Sequence, residues 1–590
     1  MKKIISVLLI IVLAISVTLG VAGCGEKETS TLNVCIGPEP ESIDPAINSA
    51  VDGATLIIHS FSGLVGWRKN AEGLLELYAD CAKELPAATE TQDGKMQYVF
   101  ELRDGLKWSD GSDLTAHDFV FAWNRAIKEE LGGSYGYLFD IIDGYGEGVL
   151  NVTASEDGKT LTVVLPIDVP YFLELCAFPT YMPVKESVVG DESWATEART
   201  YICNGPYKMT AWYHGSAIIM EKNEYYHDKD AVTMDKITFY LSDDDGAQLA
   251  NYKNGDWLFI DSVPINEIEA LKTDYPDEFK ITGQLGTYYS CFNINKDLLP
   301  STCTLTGAER ITAMENVRKA LALLIDRYYI IDSIAQGGQL PASSYVAMGL
   351  TEPDGEEFYK RAGHSTEYIG YYDVSKEAFA GNVSAAIKTL KQYYDFDETT
   401  QKFTNFPTFD YIHNPSSLHQ GIAEYLQQAF GVYGINMTIS SQEWNTFLNT
   451  RKLGDYTFAR NGWLGDYNDP ISFLDMWLSY SGNNDIQYGK GDHENVAHYS
   501  VDATPLGYSL KVTNGTWAET YDAVIALVKA EKNQEKRMQL MHLAEDLLMQ
   551  TGCIAAIYYY TDLFMVSTKL QGAYYSPLGY KYFMYTTIAD

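Results

Sequence analysis

The chain has 590 residues, 46% hydrophobic and 21% charged, a balance typical of folded globular proteins rather than of disordered chains. Its length is sufficient for about two or three hydrophobic cores. The 79 acidic residues outnumber the 43 lysines and arginines and give a formal net charge of −36. Because such a surface repels phosphate backbones and no basic run interrupts it, the sequence argues against nucleic-acid binding.

The first 23 residues have the pattern of a lipoprotein signal peptide. A basic start, Met1-Lys2-Lys3, precedes an almost unbroken apolar run over 4–21. A run of this length could also span a bilayer, but a basic flank followed by small residues fits secretion better. The sequence Val21-Ala22-Gly23-Cys24 is similar to the bacterial lipobox, in which the cysteine is lipidated and becomes the mature N-terminus. We therefore expect residues 1–23 to be removed and acyl chains such as palmitate on Cys24 to anchor the protein at the extracytoplasmic face of the cell membrane.

A short polar tether over 24–31 follows, and strands and helices alternate from Leu32 onwards. Alternating apolar residues predict strands over 98–102 and 161–165. Between them, Thr115 is the predicted N-cap of an amphipathic helix that continues to Ile127.

The second half of the chain continues the mixture of helices and strands. Apolar periodicity predicts long helices over 315–335 and 521–549, and the C-terminal region predicts strands over 554–560 and 564–567. Aromatic residues are dense between 558 and 585, which suits strands that pack into a core or line a cleft. The pattern indicates an α/β protein of more than one domain.

Besides Cys24 the chain has seven cysteines, which predict neither a metal cluster nor a disulfide framework. They are scattered without a CxxC pair, and an odd number cannot all pair. We expect mostly buried free thiols, and leave a single bridge between Cys291 and Cys303 open.

One segment matches the G-x-S-x-G pattern of a hydrolase nucleophile elbow, with Ser134 as the nucleophile. That elbow requires a strand before the serine and a helix after it. Here the preceding residues 119–131 are predicted to be helical, so Gly132 and Gly133 indicate a helix C-cap instead. A secreted serine hydrolase using Ser134 is therefore the remote alternative.

The histidines His493 and His498 superficially resemble a zinc-protease pair. Their spacing of five differs from the i, i+4 spacing that places two ligands on one helix face, and the neighbouring glycines predict a loop. No S-x-x-K motif occurs either. The sequence thus predicts no catalytic residue, metal or cofactor.

Two segments carry a family resemblance. The first reads FELRDGLKWSDG at 100–111 and continues as SDLTAHDFV at 112–120; the second reads VRKAL at 317–321, followed by IDR at 325–327. Both resemble signatures of the family 5 extracellular solute-binding proteins of ABC importers. The resemblance extends over essentially all of the mature chain.

A third region is similar to the peptide-binding segment of the oligopeptide-binding (Opp) members of that family. It comprises QEWNTFLNTR at 442–451 and ARNGWLGDYNDP at 459–470. In those members the aspartate of G-W-x-x-D binds the peptide α-ammonium, which implies this role for Asp466. An enclosed ammonium needs a carboxylate, since its desolvation is otherwise uncompensated. The alternative is that Asp466 only shapes the turn before Pro470.

The resemblance implies further contacts with a peptide. The main chain of 462–464 would pair with it as an added strand, which gives affinity without reading the peptide sequence. The residues implicated, besides Asp466, are Gly462, Trp463, Leu464, Trp444, Arg451, Arg460, His419 and Tyr559. The two tryptophans would line side-chain pockets, the arginines and the histidine would lie near peptide side chains or the C-terminal carboxylate, and Tyr559 would line the cleft. Core packing of the tryptophans and Tyr559, and an acidic partner for Arg460, are the alternatives.

Two departures from the family pattern stand out. Leu464 occupies a position where enteric members have a cysteine, so the corresponding disulfide is absent. The segment IDSVP at 260–264 replaces an asparagine-rich segment near the ligand.

The implied fold is the two-lobed, periplasmic-binding-protein type II-like architecture with an additional domain. Lobe I would comprise 32–61, 204–285 and 560–590, the additional domain 62–203, and lobe II 286–559. The implied function is capture of short peptides in extended form between lobes that close about a hinge, and delivery to an ABC permease with its ATPases. We expect a monomer, and a dipeptide, a modified peptide or a signalling peptide is the alternative ligand.

Overall fold

The computed structural model describes residues 30–191, 193–364 and 370–589. The predicted signal peptide, Cys24 and most of the tether lie outside the described residues. Within the described chain, no helix has both the length and the apolar character needed to cross a membrane.

A large mixed sheet organises the molecule. In spatial order its strands are Met437–Ser441, Phe409–His413, Phe458–Leu464, Phe279–Phe292, Ile554–Val566, Phe259–Ile260, Thr31–Cys35, Lys236–Tyr240, Ala217–Lys222 and Tyr207–Tyr213. A further short strand, Leu340–Pro341, also pairs with Ile554–Val566. The strands near both ends of this order include parallel pairs, and helices cover them.

Two long antiparallel strands, Phe279–Phe292 and Ile554–Val566, join the two halves of this sheet. Their register is interrupted between Gly283 and Thr287, where the pairing shifts. Such irregularities bend a strand and increase its twist. The two halves of the sheet are therefore joined through strands whose pairing is irregular.

The helices of eight or more residues are Val51–Ser60, Ala116–Ala126, Asp245–Asn254, Gly307–Leu323, Phe379–Leu390, Ser417–Gly431, Trp444–Lys452, Ala523–Ala530 and Gln534–Gln550. Shorter helices are Phe172–Leu175, Ile268–Asp274, Arg327–Tyr329 and Ile471–Leu474, with π-helical turns at Ile330–Ala335 and Ala518–Asp522. Small antiparallel pairs complete the architecture: Val65–Lys69 with Leu75–Ala79, Phe396–Asp397 with Lys402–Phe403, Tyr499–Asp502 with Lys511–Gly515, Leu570–Gln571 with Thr587–Ile588, and Tyr574–Tyr575 with Lys581–Tyr582.

A separate four-stranded sheet lies in the N-terminal third of the chain, in the order Thr89–Glu90, Met96–Glu101, Thr160–Leu165 and Val152–Ala154. It confirms the strands predicted over 98–102 and 161–165. The helix Ala116–Ala126 begins after Thr115, whose backbone N–H donates to the Asp118 carboxylate at 2.8 Å. The predicted N-cap is therefore confirmed, with Asp118 completing a capping box.

The prediction of one helix over 315–335 is wrong in its bounds. The helix is Gly307–Leu323, and the chain then bends before the turns Arg327–Tyr329 and Ile330–Ala335. Asp326 caps the new turn by accepting from the Tyr329 N–H at 3.1 Å. The side chain of Arg327 is buried and donates to the backbone carbonyls of Ala322 and Ile325, so it satisfies the end of the preceding helix.

The predicted helix over 521–549 is also divided. The helix Ala523–Ala530 ends at Glu531, whose backbone is extended, and Asn533 caps Gln534–Gln550 by accepting from the Lys536 N–H at 3.0 Å. In contrast, the two predicted strands over 554–560 and 564–567 form one continuous strand, Ile554–Val566, because the long strand Phe279–Phe292 pairs with both parts.

All seven cysteines of the described chain are free thiols, and the Cys291–Cys303 bridge that the sequence left open is not formed. All except Cys303 are buried. Burial raises the pKa of the Cys291 thiol to about 12, so this side chain is a protonated, apolar part of the core.

Candidate functional site

A cavity of about 400 Å³ lies between the segments predicted to form lobe I and lobe II. Its walls come from chain segments within 36–55, 242–262, 414–419, 444–485 and 560–581. The predicted additional domain contributes Tyr135 and Phe178. The three regions of the sequence therefore all contribute to the lining of this cavity.

Eight of the nine residues predicted to contact a peptide line this cavity: Asp466, Trp463, Gly462, Leu464, Trp444, Arg451, Arg460 and His419. The exception is Tyr559, whose hydroxyl lies 2.6 Å from Ser344 Oγ in the protein interior. Because successive side chains of a strand point to opposite faces, the next residue, Tyr560, lines the cavity instead. The sequence prediction is corrected here by one residue.

Asp466 directly follows the strand Phe458–Leu464 and a single glycine, and its side chain is only 8% exposed. Its amide N–H donates to Ser472 Oγ at 2.7 Å, which fixes the turn, and Oδ1 accepts from the Tyr135 hydroxyl at 3.2 Å. The other oxygen, Oδ2, has no hydrogen-bond partner, and no cation of the described chain forms an ion pair with Asp466. Burial, reinforced by the neighbouring Asp475 charge, holds the pKa of the Asp466 carboxyl well above its usual value, although the Tyr135 hydrogen bond opposes this shift.

Tyr135 belongs to the segment that matches the G-x-S-x-G pattern. Gly132 ends a one-turn helix in the left-handed conformation, with φ of 67°, as the predicted C-cap requires. Ser134 is buried outside the cavity lining, and its backbone packs so closely on Gly482 that a Cβ at that glycine would lie 2.6 Å from Ser134 Cα. Within this described segment no strand precedes the serine, so a nucleophile elbow is not formed. The segment instead positions Tyr135 against Asp466.

Arg460 is the cationic counterpart of Asp466 in the cavity. Its guanidinium donates to the Tyr560 hydroxyl at 3.2 Å and lies 5.3 Å from the centre of the Tyr288 ring. Nε has no acceptor, and among the described residues no carboxylate lies within ion-pair distance. The acidic partner that the sequence left open for Arg460 is therefore not seen, and the positive charge is not neutralised.

Arg451 lines the same cavity but, unlike Arg460, has a carboxylate nearby. Its guanidinium donates to the side-chain oxygen of Asn461 and lies 3.5 Å from the Asp485 carboxylate. The aromatic ring of Phe447 lies 4.7 Å from its guanidinium carbon. The charge of Arg451 is thus compensated within the protein, which makes Arg460 the better match for an anionic group of a ligand.

His419 lies in the first turn of the helix Ser417–Gly431, with Nδ1 at 3.2 Å from the Tyr288 hydroxyl. Burial, together with the nearby Arg460 charge, places the pKa of His419 well below its ordinary value. The imidazole is therefore neutral at neutral pH and acts as a hydrogen-bonding group rather than as a cation.

The two predicted tryptophans use their indole N–H groups inside the protein. Trp463 donates to the Ser472 carbonyl at 2.7 Å, and Trp444 donates to Asp52 Oδ2 at 3.0 Å. Since both side chains line the cavity, their rings are held in fixed orientations and present apolar surface to it.

The strand Phe458–Leu464 has an open edge where it borders the cavity. On one side it pairs along its full length with Phe279–Phe292, whereas on the other side Phe409–His413 pairs only with Phe458 and Ala459. Residues 460–464 have no strand on that second side within the described structure. Position 462 lies directly against Tyr560, since a Cβ there would lie 2.1 Å from the Tyr560 hydroxyl oxygen and would force that ring to move.

Several charged residues of the cavity were not identified from the sequence. Lys581 lies 3.2 Å from the Asp261 carboxylate and is also paired with Asp562. Burial raises the pKa of Asp261 and of Asp52 to about 7. Asp261 lies in the departing segment 260–264, and Asp562 and Lys581 lie in the aromatic-rich segment 558–585, but none of the four charges was itself singled out. Because these four residues are far apart along the chain, their positions in the sequence do not indicate that they share a site.

The histidines His493 and His498 do not form a metal site. His493 Nε2 lies 2.9 Å from the Tyr499 hydroxyl, and His498 lies 3.4 Å from the Glu315 carboxylate. In the described part of the chain, no group of three or more histidine, cysteine, aspartate or glutamate side chains could hold a metal ion.

Known proteins share both the sequence pattern and the fold. The family model of bacterial extracellular solute-binding proteins, family 5 (Middle), matches residues 76–485. The chain is 29% identical to the oligopeptide-binding protein OppA of Bacillus subtilis, with 99% of each chain covered. It is 30% identical to the dipeptide-binding protein DppE of the same organism, with 92% of this chain and 89% of DppE covered. A crystal structure of Haemophilus influenzae OppA in complex with RPPGFSPFR is similar in fold, with a TM-score of 0.77, 24% identity, and coverage of 96% of this chain and 100% of that one.

Proposed function

The chain belongs to family 5 of the bacterial extracellular solute-binding proteins, and on that premise we propose that it captures short peptides in extended form for an ABC permease. The observation that carries this proposal is the buried Asp466 carboxylate, which has an unsatisfied oxygen and no cation of its own in the described chain. A peptide α-ammonium is a cation with three donors and would satisfy both deficits.

The opposite end of the peptide has a matching partner. Arg460 lacks a carboxylate partner among the described residues and lies six positions before Asp466, so their Cα atoms are at most about 20 Å apart. A peptide with its ammonium at Asp466 and its carboxylate towards Arg460 would run antiparallel to the strand Phe458–Leu464. At about 3.4 Å per residue, this span corresponds to peptides of up to about six residues.

The open edge of residues 460–464 supports recognition through the main chain. A peptide added as a strand gains backbone hydrogen bonds whatever its sequence. The Gly462 N–H now donates to Asn461 Oδ1 at 2.8 Å, so a ligand that pairs here would replace or share that bond. Side-chain pockets formed by Trp444 and Trp463 would then accept varied side chains, with water filling the remaining space.

Contacts between the predicted lobes support closure over the ligand. The helix Trp444–Lys452 of lobe II reaches lobe I twice: Trp444 donates to Asp52, and Lys452 donates to both Glu41 oxygens at 2.9 and 2.8 Å. A peptide that contacts both lobes would favour this arrangement over an open one, because it shifts an existing equilibrium.

The remaining parts of the proposal concern location and partners. The pattern of residues 1–24 supports secretion and a lipid anchor at Cys24, which would hold the protein on the outer side of the membrane. We also propose that the protein acts as a monomer. The name of DppE favours a second candidate, in which the same cavity takes a dipeptide. Modified or signalling peptides would use the same ammonium site and remain alternatives.

Mass spectrometry of ligands released from the purified protein would identify peptide length and composition directly. Calorimetry on protein stripped of ligand would then compare tri- to pentapeptides with their N-acetylated forms. We expect Asp466→Ala to lose peptide binding and acetylation to weaken binding by wild type. A matched control is Asp455→Ala, an exposed aspartate outside the cavity lining. If Asp466→Ala binds as tightly as wild type, the proposed site is wrong.

A further inference from the structure

Part of the cavity lining presents more hydrogen-bond acceptors and negative charge than the described residues neutralise. We call Asp52, Gln248, Asp261 and Asp562 the acceptor wall. All four line the cavity. Asp466 is not part of this wall, since its partners are Tyr135 and Ser472.

The charges of the acceptor wall are incompletely balanced. Lys581 is the cation that pairs with both Asp261 and Asp562, so one positive charge serves two carboxylates. Asp52 has only neutral donors: the Trp444 indole at 3.0 Å and the Gly53 backbone N–H at 2.8 Å. The described residues supply no further cation to these three carboxylates, which leaves about two negative charges when all are ionised.

Gln248 gives an independent indication of a missing donor. Its side chain is 1% exposed, and Oε1 has no hydrogen-bond partner within the described chain. The amide orientation is set by the other end, because Nε2 donates to the Ser242 carbonyl at 2.9 Å. A buried acceptor without a donor is costly, so its presence beside a cavity points to a ligand that donates there. Gln248 lines the same cavity as Asp52, Asp261 and Asp562.

The terminal charges of a bound peptide would not neutralise the acceptor wall. Its ammonium and carboxylate are already matched by Asp466 and Arg460, and its backbone by the open edge of 460–464. What remains for the acceptor wall is a side chain that carries a positive charge and several N–H donors. Lysine and arginine are the side chains of this kind.

We propose that the acceptor wall is a specificity pocket that selects peptides with a lysine or arginine side chain. This inference rests on the proposed function of peptide binding and adds a ligand class to it. A cationic side chain would complete the charge of Asp52 and the shared Asp261–Lys581–Asp562 group, and it could donate to Gln248 Oε1. A bound cation would also reduce the repulsion among the carboxylates of the acceptor wall. This would favour the closed arrangement, because Asp52 joins the two predicted lobes through Trp444.

The test compares matched peptides by calorimetry on ligand-free protein. Alanine tetrapeptides carry lysine or its uncharged analogue norleucine, and arginine or its uncharged analogue citrulline, at each position in turn. We expect at least one position at which the charged side chain binds about tenfold or more tightly than its analogue. The preference should persist at 0.5 M salt, because a contact inside the cavity is screened far less than long-range attraction to the acidic surface.

Variants assign the preference to the wall. In each variant we compare the affinities for the charged and the uncharged peptide and take their ratio. A general loss of stability lowers both affinities alike and therefore does not change this ratio. We expect Asp52→Asn and Asp261→Asn to reduce the ratio several-fold, and Glu224→Gln, an exposed surface carboxylate with the same change in charge, to leave it unchanged.

Each outcome is decisive. A wild-type protein that binds the uncharged peptides equally well overturns the inference while the proposed function stands. A preference that disappears in 0.5 M salt shows that the general surface charge is responsible, and this overturns the inference. A preference that survives in both wall variants shows that other groups are responsible and also overturns it. Failure to bind any peptide, with Asp466 intact, overturns the proposed function itself and this inference with it.

Discussion

The Tyr135 hydroxyl donates to Asp466 Oδ1 at 3.2 Å, across 331 positions of sequence. This bond joins the predicted additional domain to the predicted ammonium site of lobe II. It stabilises the charged form of a carboxyl group that burial otherwise disfavours. The additional domain is thus expected to take part in ligand binding and not only to enlarge the protein.

We expect Tyr135→Phe to weaken peptide binding about tenfold. The substitution keeps the ring and removes one hydrogen bond to a charged group, which typically contributes about 1.5–3 kcal/mol. Calorimetry with a tripeptide measures the effect. The matched control is Tyr480→Phe, because Tyr480 also donates to an aspartate, Asp140, at 3.2 Å but lies outside the cavity lining. Equal affinities of wild type and Tyr135→Phe would contradict the role given to this bond.

Peptide binding should release protons and strengthen as pH rises. In the empty cavity burial raises the pKa of Asp466, so the carboxyl keeps its proton to a higher pH than an ordinary aspartate, whereas a bound ammonium favours its ionised form. The bound state therefore holds fewer protons, and affinity increases with pH between the two pKa values. Calorimetry at pH 6.5 in buffers with different ionisation enthalpies gives the number of protons released.

The variant Asp466→Asn separates this group from the others that titrate in the cavity. Asp52 and Asp261, with pKa values raised to about 7 by burial, can also release protons on binding. We expect the asparagine variant to release up to one proton fewer per peptide. An unchanged proton count would show that Asp466 is already ionised in the empty protein.

The ion pair between Lys452 and Glu41 is expected to stabilise the closed arrangement. Lys452 Nζ also donates to Ser49 Oγ at 3.0 Å, and both charged side chains are largely buried. Lys452→Met should lower peptide affinity by a few-fold, equivalent to about 1 kcal/mol, and enlarge the radius of gyration of the empty protein in X-ray scattering.

A control for this variant is Lys208→Met, which removes a lysine paired with Glu224 at 3.2 Å on the surface. It should change neither quantity. If Lys452→Met leaves both the affinity and the radius unchanged, the pair does not contribute to closure.

Gly462→Ala is expected to impair peptide binding without preventing folding. The added Cβ would lie 2.1 Å from the Tyr560 hydroxyl, so this ring must move towards the cavity and the open edge. Calorimetry should show at least a tenfold loss of affinity, which the second substitution Tyr560→Ala should partly restore. The control Gly381→Ala lies in a helix with open space around its Cβ and should not affect binding. Wild-type affinity of Gly462→Ala would show that the edge tolerates a side chain.

Local patterns determined a large part of this protein. Alternating apolar residues located the strands around Tyr98 and Leu161, and the Thr115 N-cap followed from the residues beside it. These features depend on neighbours within a few positions, which a sequence displays directly. The same holds for the family signatures and for Asp466 within its G-W-x-x-D segment.

Tertiary contacts decided what local patterns could not. The helix predicted over 315–335 ends at Leu323 in the structure, and Arg327 donates to a backbone carbonyl near that end. Tyr560 rather than Tyr559 lines the cavity, because successive side chains of a strand point to opposite faces. Arg451 and Arg460 look equivalent in sequence, yet only Arg451 has a carboxylate nearby in the described structure. Burial, pKa and unsatisfied hydrogen bonds depend on residues hundreds of positions away. The sequence therefore determined the family and gave the candidate residue for the proposed ammonium site. Only the fold decided which charged groups of the cavity lack a partner within the described chain, because those partners come from distant parts of the sequence.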